Sequence, residues 1–402
     1  MAKVFVTGLI IIAIAGIVLL FNINTGYGAD ADEIKTLLDA KSASAKSAKP
    51  ILLKFFKTDC EYCSQSETDA ENNNEIKQAL AKVVQLSIDI RSDYGKELSL
   101  QYKAGINFPV FFLLNGNGEI IKRWTGYTTA AKFLEAMKAA MSDKTTVEQR
   151  IMRFEQSPSY NDAIYLAEYF TDIMDYGPAN KYYRQARLLG NKKPSAYTFE
   201  IFQNTANASW QDSIGFDEVL PSADTVLMLD SNNPSVLVKT AQIMARLARK
   251  SDRSEAIAKY LQAAIAATEN PSNPGFKKDN ILLKSEYALC IEKDTVEAIN
   301  LKVSTLSKDW LNKPDDYYGY AKWCLDHKVD LANAEMLAKK AIGMASPGEF
   351  RGKVYNTLAM ICATRENYTD AVKYMQLAIQ DDSKTGFYND MLDELIKKRD
   401  GK

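Results

Sequence analysis

Two cysteines three positions apart, Cys60 and Cys63, stand in the stretch Thr58-Asp59-Cys60-Glu61-Tyr62-Cys63, directly after the apolar run ILLKFF from Ile51 to Phe56. By residue type the pair is open to four readings: a reactive dithiol, a structural disulfide, half of a metal site, or two buried thiols. Zinc requires four ligands, and the chain offers no second C-x-x-C and only one histidine, His327. Haem attachment needs a histidine after the second cysteine, where Ser64 stands. No metal and no cofactor is implied. His-dependent hydrolases are excluded for want of histidine. His327, one helical turn after Cys324, is read as a surface residue.

The flanking pattern says what must position the pair. ILLKFF is a short, nearly continuous apolar run, as expected of a strand buried on both faces. A polar helix begins at or just before Cys63 and runs towards Lys82. Cys60 then sits at a helix amino end, which carries roughly +0.5 of an elementary charge. That partial charge favours a thiolate. A thiolate attacks a substrate disulfide to form a mixed disulfide, and a second thiol one turn along can resolve it. Asp59 and Glu61 oppose the helix end, because negative neighbours disfavour a thiolate. Their effect shifts the couple towards a reductant.

Around these residues the pattern alternates. A helix over ADEIKTLLDAKSASAKSAKP stops before Pro50, and VVQLSIDI (Val83 to Ile90) reads as a second strand. DYGKELSLQYKA reads as a helix, followed by PVFFLL, the turn Asn115-Gly116-Asn117-Gly118, and EIIKRW. Two apolar strands about an Asn-Gly turn predict a hairpin. The helix TAAKFLEAMKAAM closes the unit. The order α-β-α-β-α-β-β-α implies an α/β domain, a mixed sheet with helices on both faces.

From about Ala31 to Met141 the sequence resembles the thioredoxin superfamily, in particular its exported bacterial thioredoxin-like domains. The resemblance rests on ILLKFF, on the C-x-x-C of Cys60 and Cys63, and on NFPVFFLLNGNGEIIKRWTGY. It implies a cis peptide bond before Pro109, packed against the dithiol, with the backbone of Phe108 free to pair with an extended substrate. The family's usual tryptophan before the first cysteine is Asp59 here, and the acid often buried in the preceding strand is Lys54. Lys54, Asp59, Glu61 and Tyr62 are therefore the residues expected to tune the redox couple. Lys54 is expected to snorkel, its ammonium in water, rather than to lie desolvated with a lowered pKa.

The amino end bears on compartment. Lys3 precedes eighteen uncharged, mostly apolar residues, Val4 to Phe21, with small residues at Gly26-Tyr27-Gly28 and Ala29-Asp30-Ala31. Residues 1–29 are read as an export signal, removed by cleavage, or else retained as a membrane anchor. A periplasmic location is expected. No cysteine precedes Cys60, so lipid modification at the cleavage site is excluded. The balance of 50 basic and 51 acidic residues shows no bias towards nucleic acid.

Residues 30–143 thus form the first domain, and beyond Asp143 only helical periods remain. Small-residue ladders recur at Ala179-Tyr183-Ala186, Ala256-Tyr260-Ala263, Ala334-Ala338-Ala341 and Ala371-Met375-Ala378, with leading alanines 77, 78 and 37 residues apart. Residues 144–402 resemble tetratricopeptide repeats, whose period is about 34 residues. The stretches Trp210 to Asp230 and around Ala298 fit poorly. An all-α helical-hairpin solenoid that binds a protein partner is expected. Cys290, Cys324 and Cys362 fall late in first helices of repeats and are read as core.

The expected function is an exported thiol:disulfide oxidoreductase acting on protein disulfides and recharged by an upstream thiol donor, with the repeats holding client or partner. The alternative is an interaction scaffold whose thioredoxin-like unit is structural or redox-sensing.

Overall fold

The run ILLKFF forms β1 (Ile51–Phe56), whose first five residues are buried, because it lies inside a sheet rather than at its edge. The computed structural model describes residues 34–58, 60–269, 274–382, 385 and 387–401. The expected leader, residues 1–29, and Asp59 lie outside the described residues. The chain divides into two units, between Thr146 and Val147.

In the first unit, α1 (Leu37–Ser47) begins at a capping box between Thr36 and Asp39. It ends at Ala48, which takes a left-handed conformation two residues before Pro50. After β1 come α2 (Glu61–Asn72) and α3 (Asn74–Leu80), then β2 (Val84–Asp89), α4 (Asp93–Gln101), β3 (Val110–Leu114), β4 (Ile120–Thr125) and α5 (Ala130–Ser142). The single polar helix expected from Cys63 towards Lys82 is two helices. Asn73 takes an extended conformation, and its Oδ1 accepts from the amides of Glu75 and Ile76 to cap α3. An asparagine makes that interruption easy, since its short amide serves as an N-cap.

The sheet order is β2-β1-β3-β4, with β1 parallel to β2 and antiparallel to β3, and β3 antiparallel to β4. β2 alternates buried and exposed residues, as an edge strand with one covered face does. Leu52, Phe111, Leu113 and Ile121 pack with Ile76, Phe133 and Met137 on one face of the sheet. On the other face the rings of Phe55, Tyr102 and Phe112 meet, with centroids 5.5–6.4 Å apart. The hairpin turn is closed by Asn115, whose Oδ1 accepts from the amides of Asn117 and Glu119. Gly118 supplies the positive φ of 85° that the turn requires.

The second unit is helical throughout its described residues apart from connections. Its helices are α6 (Val147–Gln156), α7 (Tyr160–Asp172), α8 (Tyr176–Leu189), α9 (Thr198–Trp210), α10 (Leu220–Leu229), α11 (Pro234–Ser251), α12 (Ala258–Thr268) and α13 (Lys277–Tyr287). They continue with α14 (Thr295–Ser304), α15 (Pro314–His327), α16 (Leu331–Met344), α17 (Glu349–Thr364), α18 (Tyr368–Asp381) and α19 (Phe387–Arg399). Each helix packs chiefly on its neighbours in sequence, as in a solenoid of helical hairpins. The ladders mark those contacts: Ala179, Ala186, Ala334, Ala338, Ala341, Ala371 and Ala378 are fully enclosed. At α12, entered through a short 3-10 turn over Ser254–Ile257, Tyr260 of the expected ladder is fully enclosed together with Ile257, Leu261 and Ala264, while Ala256 and Ala263 are only half-buried. Gly352 lets α17 approach α18 closely; a Cβ there would lie 2.7 Å from that of Asp382.

Candidate functional site

β1 delivers the chain to the start of α2. Cys60 is the N-cap of α2, its Sγ accepting from the Cys63 amide at 3.1 Å. Thr58 steadies the approach by donating its hydroxyl to Asp89 Oδ2 at 2.8 Å. The two sulfurs stand at disulfide distance, with Cα atoms 5.1 Å apart. Cys60 is half-buried, while Cys63, which faces into the domain, is only 2 % exposed. The peptide bond before Pro109 is cis, and the Phe108 carbonyl oxygen lies 3.5 Å from Cys60 Sγ. The structure therefore brings Cys60, Cys63, Phe108 and Pro109 together. Tyr62 projects outwards at 55 % exposure, and Glu61, the first residue of α2, is also exposed. Water screens the Glu61 charge.

Lys54 does not snorkel. It is only 8 % exposed, and its Nζ donates to Ser66 Oγ at 2.8 Å and Glu67 Oε1 at 3.1 Å, with the Cys63 carbonyl oxygen 3.5 Å away. The reason is geometric. Lys54 points from a central strand under α2, and a residue three or four positions after Cys63 lies on the helix face that carries Cys63. Burial lowers the Lys54 pKa from its ordinary value, and the hydrogen bond and charge of Glu67 offset only part of that. Ser66 in turn donates to the Cys63 carbonyl at 2.7 Å, tying the lysine to the backbone of the second cysteine. A cavity of about 120 Å³ beside Lys54, Ser66, Glu67 and Tyr127 is roomy enough for water.

Sequence reasoning missed three members of this neighbourhood. Ser66 and Glu67 were readable in principle from their helical spacing to Cys63. Lys57, whose ammonium lies 5.0 Å from the Phe108 ring centroid, carries no local signal of its partner. Tyr127 Oη donates to Asp69 Oδ2 at 2.6 Å, fastening the end of the sheet to α2. Burial, then Asp69, keeps that phenol protonated far into alkali.

The other cysteines are buried, as read from the sequence. His327 is not a surface residue. Its side chain is 6 % exposed, its Nδ1 lies 2.8 Å from the Trp323 carbonyl oxygen, and its Nε2 lies 2.8 Å from Glu286 Oε2. Among the described residues no group of three or more His, Cys, Asp or Glu side chains is arranged to hold a metal ion. No helix among them is long and apolar enough to cross a membrane.

A dithiol at a helix start, next to a cis-proline turn on a sheet of this topology, defines a thioredoxin-like domain. Residues 37–141 match the family model described as a thioredoxin-like domain, within the first unit alone. A solved structure titled "Crystal structure of MamA protein" matches at 15 % identity, over 46 % of this chain and 92 % of that one, with a TM-score of 0.26. No curated protein matches the chain.

Proposed function

We propose that the chain is a thiol:disulfide oxidoreductase acting on protein disulfides, with Cys60 as nucleophile and Cys63 as resolving thiol. The supporting observation is the asymmetry of the pair: Cys60 is half-buried beside the Phe108 backbone, and Cys63 lies buried behind it. In the reduced protein the Cys60 thiolate attacks one sulfur of a client disulfide and expels the other as a thiolate. Cys63 then attacks Cys60 Sγ, which releases the first client sulfur and closes the Cys60–Cys63 disulfide. The client gains two electrons, and a separate thiol donor restores the dithiol. Phe108 and Pro109 shape the client groove.

Attack by Cys63 requires that its thiol lose a proton. Lys54 takes the place of the family's buried acid as acceptor, because burial lowers its pKa and so brings its neutral form within easier reach, and its Nζ reaches the backbone of Cys63. Glu61 and Tyr62, both exposed, modulate the couple, and so does the charge of Asp59. Residues 30–143 are proposed as the catalytic domain and 144–402 as the domain that holds client or partner, raising its effective concentration at the dithiol. Export to the periplasm, with residues 1–29 as signal or anchor, completes the proposal and rests on the apolar segment Val4 to Phe21.

Insulin reduction with dithiothreitol as donor tests the core of this reading. Wild type should accelerate precipitation and Cys60→Ser should not, while Cys63→Ala should stall as a mixed disulfide. An inert wild type would instead support the scaffold reading.

A further inference from the structure

The second unit holds a cavity of about 360 Å³, a volume usual for small-ligand sites. Its walls come from α11, α12, α13, α14 and α15. The floor is leucine and alanine with the Trp323 ring, and the polar groups that converge on it are Arg246, Arg249, Glu286, Lys302 and His327. Glu286 is spoken for: it receives Arg249 on one oxygen and faces His327 Nε2 with the other. Burial alone would raise its carboxyl, but His327 and then Arg249 bring it down to about 2, so it stays ionised and neutralised.

Arg246 and Lys302 are different. Neither side chain makes a hydrogen bond or ion pair among the described residues; both line the same cavity, Arg246 exposed and Lys302 half-buried. Burial, and the neighbouring charge of Lys278, disfavour the ammonium of Lys302, against weaker help from Cys324 and Asp316. An apolar lining bordered by Arg246 and Lys302, neither of them in direct contact with a carboxylate, is an arrangement that an anion with an apolar body would complete.

We propose that this cavity binds a small organic acid, one carboxylate on an apolar body about the size of a leucine or phenylalanine side chain, with Arg246 and Lys302 on the carboxylate and Trp323 against the body. The site is independent of the dithiol chemistry. A free acid and the carboxyl-terminal residue of a peptide share this chemistry.

Titration calorimetry of the full chain with N-acetyl-leucine and N-acetyl-phenylalanine tests it. Saturable binding is expected, weakened about tenfold or more by replacing the carboxylate with the carboxamide, and by Arg246→Met or Lys302→Met, as for loss of one charge-assisted hydrogen bond. Thermal midpoints of the two variants verify folding. Cys60→Ser should bind like wild type. The tripeptide Gly-Gly-Leu separates the sources: affinity well above that of N-acetyl-leucine identifies a chain terminus, and equal or lower affinity identifies a free acid. Absence of saturable binding by both N-acetyl amino acids overturns the proposal. So does equal binding of the carboxamide, of acetate or of inorganic phosphate, or indifference to both substitutions.

Discussion

Replacing Lys54 by methionine removes a charge from beneath the dithiol while keeping a stem of similar length. The structural disturbance is small, because Ser66 retains its bond to the Cys63 carbonyl and Glu67, already half in water, simply exchanges its buried partner for solvent. Exchanging a buried ammonium for a thioether of similar shape should change stability at neutral pH by no more than about 1 kcal/mol, since desolvation and pairing nearly cancel. The catalytic effect should be larger. A thiol with an ordinary pKa of about 8.5 is only a few per cent ionised at pH 7, and loss of a positioned base typically costs about 10²- to 10⁴-fold. The adjoining cavity has room for a water that would give the proton a substitute route, so the expectation lies at the lower end, roughly a hundredfold. Only the resolving step is affected. Acid quenching and alkylation during single-turnover reduction of a peptide disulfide should show Lys54→Met accumulating the mixed disulfide while forming it at the wild-type rate. The pH profile adds a second readout: resolution in Lys54→Met should rise with pH through the thiol's own titration, whereas wild type levels off once Lys54 is neutral. Stability supplies a third. The folded-state pKa of Lys54 is lowered, so the unfolded chain binds more protons between that value and about 10.4, and wild-type stability rises with pH across this window. Lys54→Met should lack the rise. Equal lifetimes of the mixed disulfide in the two proteins, with matching pH profiles, would refute the role of Lys54.

Three further expectations concern the second unit. Burial pushes the thiols of Cys290 and Cys324 up to about 12 and that of Cys362 up to about 11, so all three should resist Ellman's reagent at pH 8 until denaturant is added. Prompt reaction in the native protein would contradict their burial. Glu286→Gln leaves Arg249 and His327 without their carboxylate and should lower stability at pH 7 by roughly 3–5 kcal/mol. With a folded pKa of about 2, below the unfolded value of about 4.3, the wild-type advantage is complete above pH 4.3 and fades as pH falls towards 2. Guanidinium unfolding at pH 7 and pH 3 should therefore show a narrowing gap, and a constant one would count against the assignment. Asp162 on α7 receives Arg150 at 3.2 Å and Arg153 at 2.6 Å while only 2 % exposed, so Asp162→Asn should cost roughly 3–5 kcal/mol in urea unfolding. An unmoved midpoint would show that α6 is held to α7 by apolar contacts alone.

Much of the first unit was legible because its signals are local. An apolar run such as ILLKFF, an Asn-Gly turn between strands and a C-x-x-C after a strand each carry their meaning within a few residues. The break at Asn73 has a local signal too, because the run Asn72-Asn73-Asn74-Glu75 offers a capping residue in competition with helical continuity. What could not be read was tertiary. Lys54 is buried because Ser66 and Glu67 arrive over it from another element, and His327 is buried because Glu286 reaches it across 41 residues. At α12 only Tyr260 of the expected ladder is fully enclosed; Ile257 and Ala264 take the places read for Ala256 and Ala263, beside a 3-10 turn that alanine spacing alone does not record.

The enclosure of Cys290, Cys324 and Cys362 has a consequence for bookkeeping of electrons. Of the five cysteines in the chain, only Cys60 is open to solvent-borne sulfur in the folded state, and only Cys63 stands at disulfide distance from it. Each molecule therefore stores one pair of electrons and no more. If the proposed function holds, the pair has no second thiol site on the same chain to pass its electrons to, and each turnover would end with reloading from outside, at a flux set by how often the donor arrives.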